Sequence, residues 1–131
     1  MLERVPSLIA SLRGRSARRG RMEVSFDETG FELHRIGQTD ETAKCFRWQE
    51  ITVVLACKRD CFAFDLICLV IADAMTAVEI NEQDDGWDAF IAAASKNLAN
   101  SVPRDTWWAA VAQPPFAANQ TIVYRKGQQF S

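Results

Sequence analysis

The sequence predicts one α+β domain, in which an antiparallel sheet is covered by a C-terminal helix. Apolar and polar residues alternate in short runs from Met22 to Glu82, as in half-buried strands. After Asp85 the apolar residues recur at helical spacing instead. The chain has 131 residues, of which 48% are hydrophobic. This length allows one full hydrophobic core, and no apolar run reaches the roughly 18 residues that a membrane span requires.

Six strands are predicted before the first helix. They cover residues 22–27, 31–36, 44–48, 51–57, 64–72 and 76–82, and the first two flank a turn-like segment at 28–30. The run 51–57 is mostly apolar and β-branched, so we expect it to be central. Together they predict a curled meander sheet whose apolar face needs a cover.

Two helices and an extended piece are predicted to follow. Asp85 is the expected N-cap of the first helix, with Asp88 in its first turn. Its apolar stripe comprises Trp87, Phe90, Ile91, Ala94 and Leu98. The second helix begins at Pro103 and must end at Pro114-Pro115. Trp107 and Trp108 are adjacent in it and diverge by about 100°, so they cannot both face one core. An exposed Trp108 is therefore a candidate partner-binding residue. A short extended piece at 121–124 precedes a polar tail.

Charge divides the chain into a basic arm, residues 1–21, and an acidic domain, residues 22–131. The arm holds six arginines and one acid, a net charge of +5, whereas the domain has nine basic and sixteen acidic side chains, a net charge of −7. Apolar residues at helical spacing within 1–12 make the arm amphipathic. We expect it to bind an anionic membrane surface or an acidic partner through Arg13, Arg15, Arg18, Arg19 and Arg21. The alternative is that Leu8, Ile9 and Leu12 dock on the sheet as an ordinary N-terminal helix.

Charged residues also flank the turn between the fourth and fifth predicted strands. Lys58, Arg59 and Asp60 directly follow the strand 51–57, and Asp65 lies five residues further on, near the start of the strand 64–72. One interpretation is a charged rim that contacts a partner or an anionic ligand. The other is that the two acids neutralise the two cations in surface pairs of little energetic value.

The metal-binding and nucleophilic residue types predict no metal, no cofactor and no catalytic residue. Glu79, Glu82, Asp84, Asp85 and Asp88 form an acidic cluster, but the odd spacing of the first two places them on opposite faces of a strand. The one histidine, His34, is expected to be a half-exposed sheet residue without a nucleophilic partner.

None of the four cysteines forms a C-x-x-C pair, so their spacing does not predict a zinc site. We expect them to be reduced thiols, as is usual in a cytosolic protein. Cys45, Cys57 and Cys68 have strand-like apolar neighbours, so we expect them to be buried. Cys61 lies in a charged loop, where it should be the most reactive thiol.

Two resemblances add to this reading. The run Phe46-Arg-Trp48-Gln-Glu50-Ile51 resembles bacterial PH-like and GRAM-like domains over about residues 22–98. That resemblance implies a half-barrel of antiparallel strands closed by a C-terminal helix. The chain departs from it by having six predicted strands instead of seven and a further segment after the helix. It also lacks an evident phosphoinositide-binding basic loop, so headgroup binding is not implied.

The chain is also similar, over about 22–125, to a family of short uncharacterised proteobacterial proteins. The matching stretches are Ala56–Asp60, Asp65–Leu69, Glu79–Glu82, Gly86-Trp87, Trp107, Pro114–Phe116 and Asn119–Thr121. This similarity implies no activity.

Taken together, the patterns predict a cytoplasmic, non-enzymatic interaction module that binds a protein partner or a second copy of itself. The alternative is a peripheral protein held at the inner membrane surface by the arm. The acidic domain argues against nucleic-acid binding, which needs clustered basic residues on the folded surface.

Overall fold

The computed structural model describes residues 22–36, 44–60, 65–113 and 119–127, with the Asp60 side chain left out. The strands in these ranges are β1 (Met22–Phe26), β2 (Gly30–Arg35), β3 (Lys44–Arg47), β4 (Val53–Asp60), β5 (Asp65–Ala72), β6 (Ala77–Asn81) and β7 (Gln120–Arg125). The helices are α1 (Trp87–Asn97) and α2 (Arg104–Ala112), and a 3-10 turn covers Trp48–Glu50. The predicted α+β class is confirmed, whereas the arm lies outside the described residues.

The strands form two antiparallel sheets rather than the single predicted meander. Sheet A has the order β1-β2-β3, and sheet B has the order β6-β5-β4-β7. The central position expected for β4 is confirmed, because it lies between β5 and β7. The predicted extended piece at 121–124 is confirmed and lies within β7, which pairs with β4 in sheet B. No strand pairing joins the two sheets within the described ranges, so a closed half-barrel stays a prediction.

The chain leaves sheet A at Trp48, which is held against the turn between β1 and β2. Its backbone N–H donates to the carbonyl of Thr29 at 3.0 Å, and its indole N–H donates to the carbonyl of Asp27 at 2.9 Å. At the start of β2, a Cβ on Gly30 would lie 1.9 Å from the carbonyl oxygen of Phe46. Only glycine allows β2 and β3 to approach this closely.

The main core lies where both helices meet the sheets. The rings of Phe31, Phe46, Trp48 and Phe90 pack with neighbouring centroids 4.9–5.8 Å apart. The predicted stripe of α1 is confirmed, since Trp87, Phe90, Ile91 and Leu98 are buried and Ala94 is partly buried against the core.

The start of α1 differs from the prediction, because Gly86 rather than Asp85 occupies the N-cap position. Gly86 has φ 90°, a left-handed conformation that glycine adopts without strain. The backbone of Asp85 instead pairs with β1: its N–H donates to the carbonyl of Met22 at 2.9 Å, and its carbonyl accepts from Val24 at 3.0 Å. These bonds join the chain before α1 to sheet A.

Sheet B is buried on both faces. One face belongs to the main core. The other, which we call the outer face, carries Val53, Leu55, Cys57, Leu66, Cys68, Val70, Ala72 and Ala77, all of them buried.

Candidate functional site

Four ionisable groups lie around the end of β4, on both faces of sheet B. Lys58 and Arg59 are consecutive on this strand, so their side chains point to opposite faces. Each cation meets an acid from another strand: Lys58 meets Asp65 of β5, and Arg59 meets Glu79 of β6. We call these four residues the charged end of sheet B.

Lys58 is buried rather than part of an exposed rim. Its side chain is 1% exposed, and its ammonium donates to the carbonyl of Ala112 at 2.9 Å and lies 3.7 Å from Asp65 Oδ2. Ala112 is the last residue of α2, where unsatisfied carbonyls favour a cation. The ammonium therefore ties β4 to the end of α2. The predicted pairing of Lys58 with Asp65 is confirmed, whereas the expected surface position of Lys58 is wrong.

Arg59 pairs with Glu79, an acid outside its own hairpin. Its Nη2 donates to Glu79 Oε1 at 2.6 Å. The Glu79 side chain is 0% exposed and that of Arg59 is 17% exposed. The second carboxylate oxygen, Oε2, is buried and accepts no hydrogen bond from any residue that the structure describes. This is a charge-assisted bond in a largely dry setting, where an ion pair is costly to break.

The neighbouring acids Glu82 and Asp84 accept hydrogen bonds from different backbone N–H groups. Glu82 Oε1 accepts from the backbone N–H of Ile67 at 3.0 Å. Asp84 accepts from the backbone N–H of Met22 at 3.0 Å and from that of Asn81 at 2.9 Å. Among the described residues, no group of three acids, histidines or cysteines is arranged to hold a metal ion.

Two thiols lie on the outer face beside the charged end. Cys57 of β4 and Cys68 of β5 are direct register partners, and both are buried, as predicted. A hydrogen bond between the two thiols, together with burial, raises the pKa of Cys68 far above its ordinary value. Cys68 is therefore a neutral thiol, which is a poor nucleophile.

The prediction that Cys45 is buried is wrong. Cys45 is exposed on sheet A, and its Sγ donates to Glu32 Oε1 at 3.4 Å. That hydrogen bond raises the pKa of the Cys45 thiol above its ordinary value. His34, on the same face of β2 as Glu32, is half-buried as predicted. Cys61 lies outside the described residues.

The two tryptophans of α2 diverge as predicted. Trp107 is buried in the main core, whereas Trp108 is half-buried with its ring centroid 5.7 Å from that of Trp107. The guanidinium of Arg104 lies 5.1 Å from the Trp108 ring centroid, within cation–π distance. It also forms a 2.9 Å ion pair with Asp88 of α1. Trp108 is thus held by contacts on one side and keeps part of its surface accessible.

A groove of about 610 Å³ lies between α2 and β7. It is lined mainly by apolar and small side chains: Val102, Pro103, Thr106, Trp107, Ala110, Thr121 and Ile122. The strand beside it is an edge strand of the described sheet, since β4 is the one described strand with which β7 pairs. One backbone group of β7 is already engaged: the carbonyl of Val123 accepts from Val102 N–H at 2.8 Å. Sequence reasoning misses this groove because it treats 121–124 as an isolated extended piece.

Comparisons with protein-family models, curated proteins and solved structures find no match for this chain. No helix within the described ranges is long and apolar enough to cross a bilayer. The arginines predicted to bind anions, Arg13, Arg15, Arg18, Arg19 and Arg21, lie outside those ranges, as does the side chain of Asp60.

Proposed function

We propose that this protein is a non-enzymatic interaction module that binds an extended segment of a protein partner. The observation that carries the proposal is the apolar groove between α2 and the edge strand β7. An edge strand offers backbone N–H and C=O groups, and a bound segment can add to the sheet through them.

The side chains of the groove support an extended occupant. Thr106 and Ala110 are exposed on the α2 side and are small, so they leave room beside the strand. Val102 and Ile122 are partly exposed and apolar, so covering them would stabilise a complex. Because α2 lies beside the edge strand, the groove favours a single extended segment of a partner over the edge of a partner's whole sheet. Trp108 stays our predicted aromatic hot spot on the same helix.

A tryptophan placed in the groove tests this proposal. Ala110→Trp fills the groove, whereas Ala109→Trp places the same ring at an exposed α2 position outside its lining. Partners captured from the native cytosol by the full chain would be identified and titrated against both variants by calorimetry. We expect Ala110→Trp to weaken binding at least about tenfold, a loss of about 1.4 kcal/mol, and Ala109→Trp to bind like wild type. Equal binding by both variants would contradict the proposal, and a homodimer that Ala110→Trp dissociates would assign the groove to a second copy.

We also propose that the domain has a PH-like architecture. Two antiparallel sheets and a helix that follows six strands and packs on the core support this assignment. The position of β7 after both helices is a departure from that pattern. An experimental structure in which the sheets do not curl toward one another would contradict it.

A second candidate function is peripheral binding to an anionic membrane surface, with the protein in the cytoplasm. The net charge of +5 on residues 1–21 favours it, because each basic residue near such a surface contributes about 1 kcal/mol. Co-sedimentation with phosphatidylserine vesicles would compare the full chain with a chain that starts at Met22. Binding that is lost on truncation and weakened by salt supports this function, whereas equal binding by both chains contradicts it.

A further inference from the structure

The outer face of sheet B lacks a described covering element. Its eight apolar residues are each at most 9% exposed, yet α1 and α2 contribute no member to this cluster. The helical core residues belong to the other face. A sheet face left to water does not bury its side chains to this degree, so a second layer must cover it.

The start of β1 shows which part of the chain can reach this face. The backbone N–H of Met22 donates to Asp84 Oδ1 at 3.0 Å, and Asp84 N–H donates to the carbonyl of Asn81 at 3.0 Å. Asn81 ends β6, which is an edge strand of sheet B. Residues 1–21 therefore join the domain beside the edge of sheet B. An extended segment 13–21 spans up to about 30 Å, which is enough to pass around one edge.

The sequence of residues 1–12 matches what the outer face needs. Val5, Leu8, Ile9 and Leu12 stand at i, i+3, i+4 and i+7, which places them on one face of a helix. Pro6 is tolerated in the first turn of such a helix. Among the other segments outside the described ranges, 61–64, 114–118 and 128–131 are too short for two helical turns, and 37–43 contains no large apolar residue.

We propose that residues 5–12 form an amphipathic helix, with Pro6 in its first turn, and that it packs on the outer face of sheet B through Val5, Leu8, Ile9 and Leu12. The arginine-rich segment 13–21 then connects two anchored parts of the chain rather than forming a free arm. This inference concerns the outer face, whereas the α2–β7 groove lies at the β7 edge of sheet B; Ile122 lines the groove and also packs against the outer-face residues. The two proposals name different occupants and are tested by separate variants.

Cys57 and Cys68 provide a direct test, because both lie on the outer face. In a Cys45→Ser/Cys61→Ser background they are the only thiols, and Ellman's reagent then reports how often this face opens. We expect slow reaction in the full-length parent and at least about tenfold faster reaction in Leu8→Asp. In the variant the helix can leave the outer face by a local opening, whereas in the parent the thiols are exposed only by a more extensive unfolding. Ser7→Asp introduces the same charge on the opposite helix face and should react as slowly as the parent.

Further variants and a dilution series distinguish a docked N-terminal helix from misfolding and from dimerisation. Circular dichroism shows whether Leu8→Asp folds. If it does not, Leu8→Ala is the milder variant, because it removes apolar surface without adding a charge, and it should still speed the reaction of the thiols with Ellman's reagent. Equal rates in all Leu8 variants and the parent would overturn the proposal, as would fast thiols in the parent. A parent dimer whose thiol protection disappears on dilution would show that a second copy covers the face, which also overturns it. Ala110→Trp, in the groove, should leave the rates unchanged.

Discussion

Breaking the Arg59–Glu79 pair should cost different amounts of stability from its two sides. The Glu79 side chain is 0% exposed, and Arg59→Met removes its one hydrogen-bond partner among the described residues. Removing one partner of a buried pair in this way costs about 3–5 kcal/mol. Glu79→Leu leaves Arg59, which is 17% exposed and long enough to turn its guanidinium toward water. We therefore expect Glu79→Leu to cost only about 1–2 kcal/mol.

The double variant measures the coupling free energy between Arg59 and Glu79. Arg59→Met/Glu79→Leu replaces both charges with apolar side chains of similar size, and such replacements range from neutral to about 4 kcal/mol stabilising. Urea unfolding followed by circular dichroism and tryptophan fluorescence would give all four free energies of unfolding. The reasoning is refuted if the single changes cost the same and their sum equals the cost of the double change, because the cycle would then contain no coupling.

Three further changes test the core, the turn and the pH dependence. Trp87→Ala should lower the free energy of unfolding by about 3–5 kcal/mol, because it empties the contact between α1 and the sheets; a melting temperature within a degree or two of wild type would contradict this. Gly30→Ala should strongly lower the free energy of unfolding measured in urea, because its Cβ would lie 1.9 Å from the Phe46 carbonyl oxygen. Gly127→Ala is the control: its Cβ would meet no atom within 4 Å, so it reports only the cost of a positive φ in alanine. Asp27 accepts hydrogen bonds from the Thr29 side chain and backbone and from a second backbone N–H, which lower the pKa of its carboxyl below the ordinary value. The resulting stability is present above the unfolded pKa of about 3.9 and is lost as the pH falls through the lower folded pKa. The stability advantage of wild type over Asp27→Asn should therefore shrink across that window, and a constant difference would contradict the assignment.

Local patterns predicted the type of most elements, but not their partners. The period of two places Cys45 and Phe46 on opposite faces, yet it does not say which face of sheet A is buried. Phe46 stacks on Phe31, with ring centroids 4.9 Å apart, so Cys45 has to face outward. The second sheet was missed for a related reason. The pairing of β7 with β4 joins segments more than sixty residues apart, and no local period encodes it.

The candidate site shows the same limit for charged residues. Lys58 lies near a predicted hairpin tip, where a surface position is the usual outcome. Its burial depends on the Ala112 carbonyl, 54 residues away in sequence, and on the fold that places α2 against β4. The partner of Arg59 was missed because Glu79 lies on β6, two strands away across sheet B. Sequence spacing within the hairpin favours Asp60 and Asp65 instead.

One sequence signal did point to the second layer on sheet B. The run Leu66 to Ala72 in β5 is apolar at every position, without alternation, and its residues are all buried. A strand with this pattern is covered on both faces, whereas a strand with one wet face alternates. The helices account for one face, so the apolar residues of 1–12 have a complementary surface in the domain's own sheet. If they occupy it, they are not available for insertion into a bilayer, and membrane binding would depend on the arginines of 13–21 alone. Vesicle binding would then be abolished by salt and unaffected by Leu8→Ala, whereas insertion of the apolar stripe predicts binding that resists salt and weakens with Leu8→Ala.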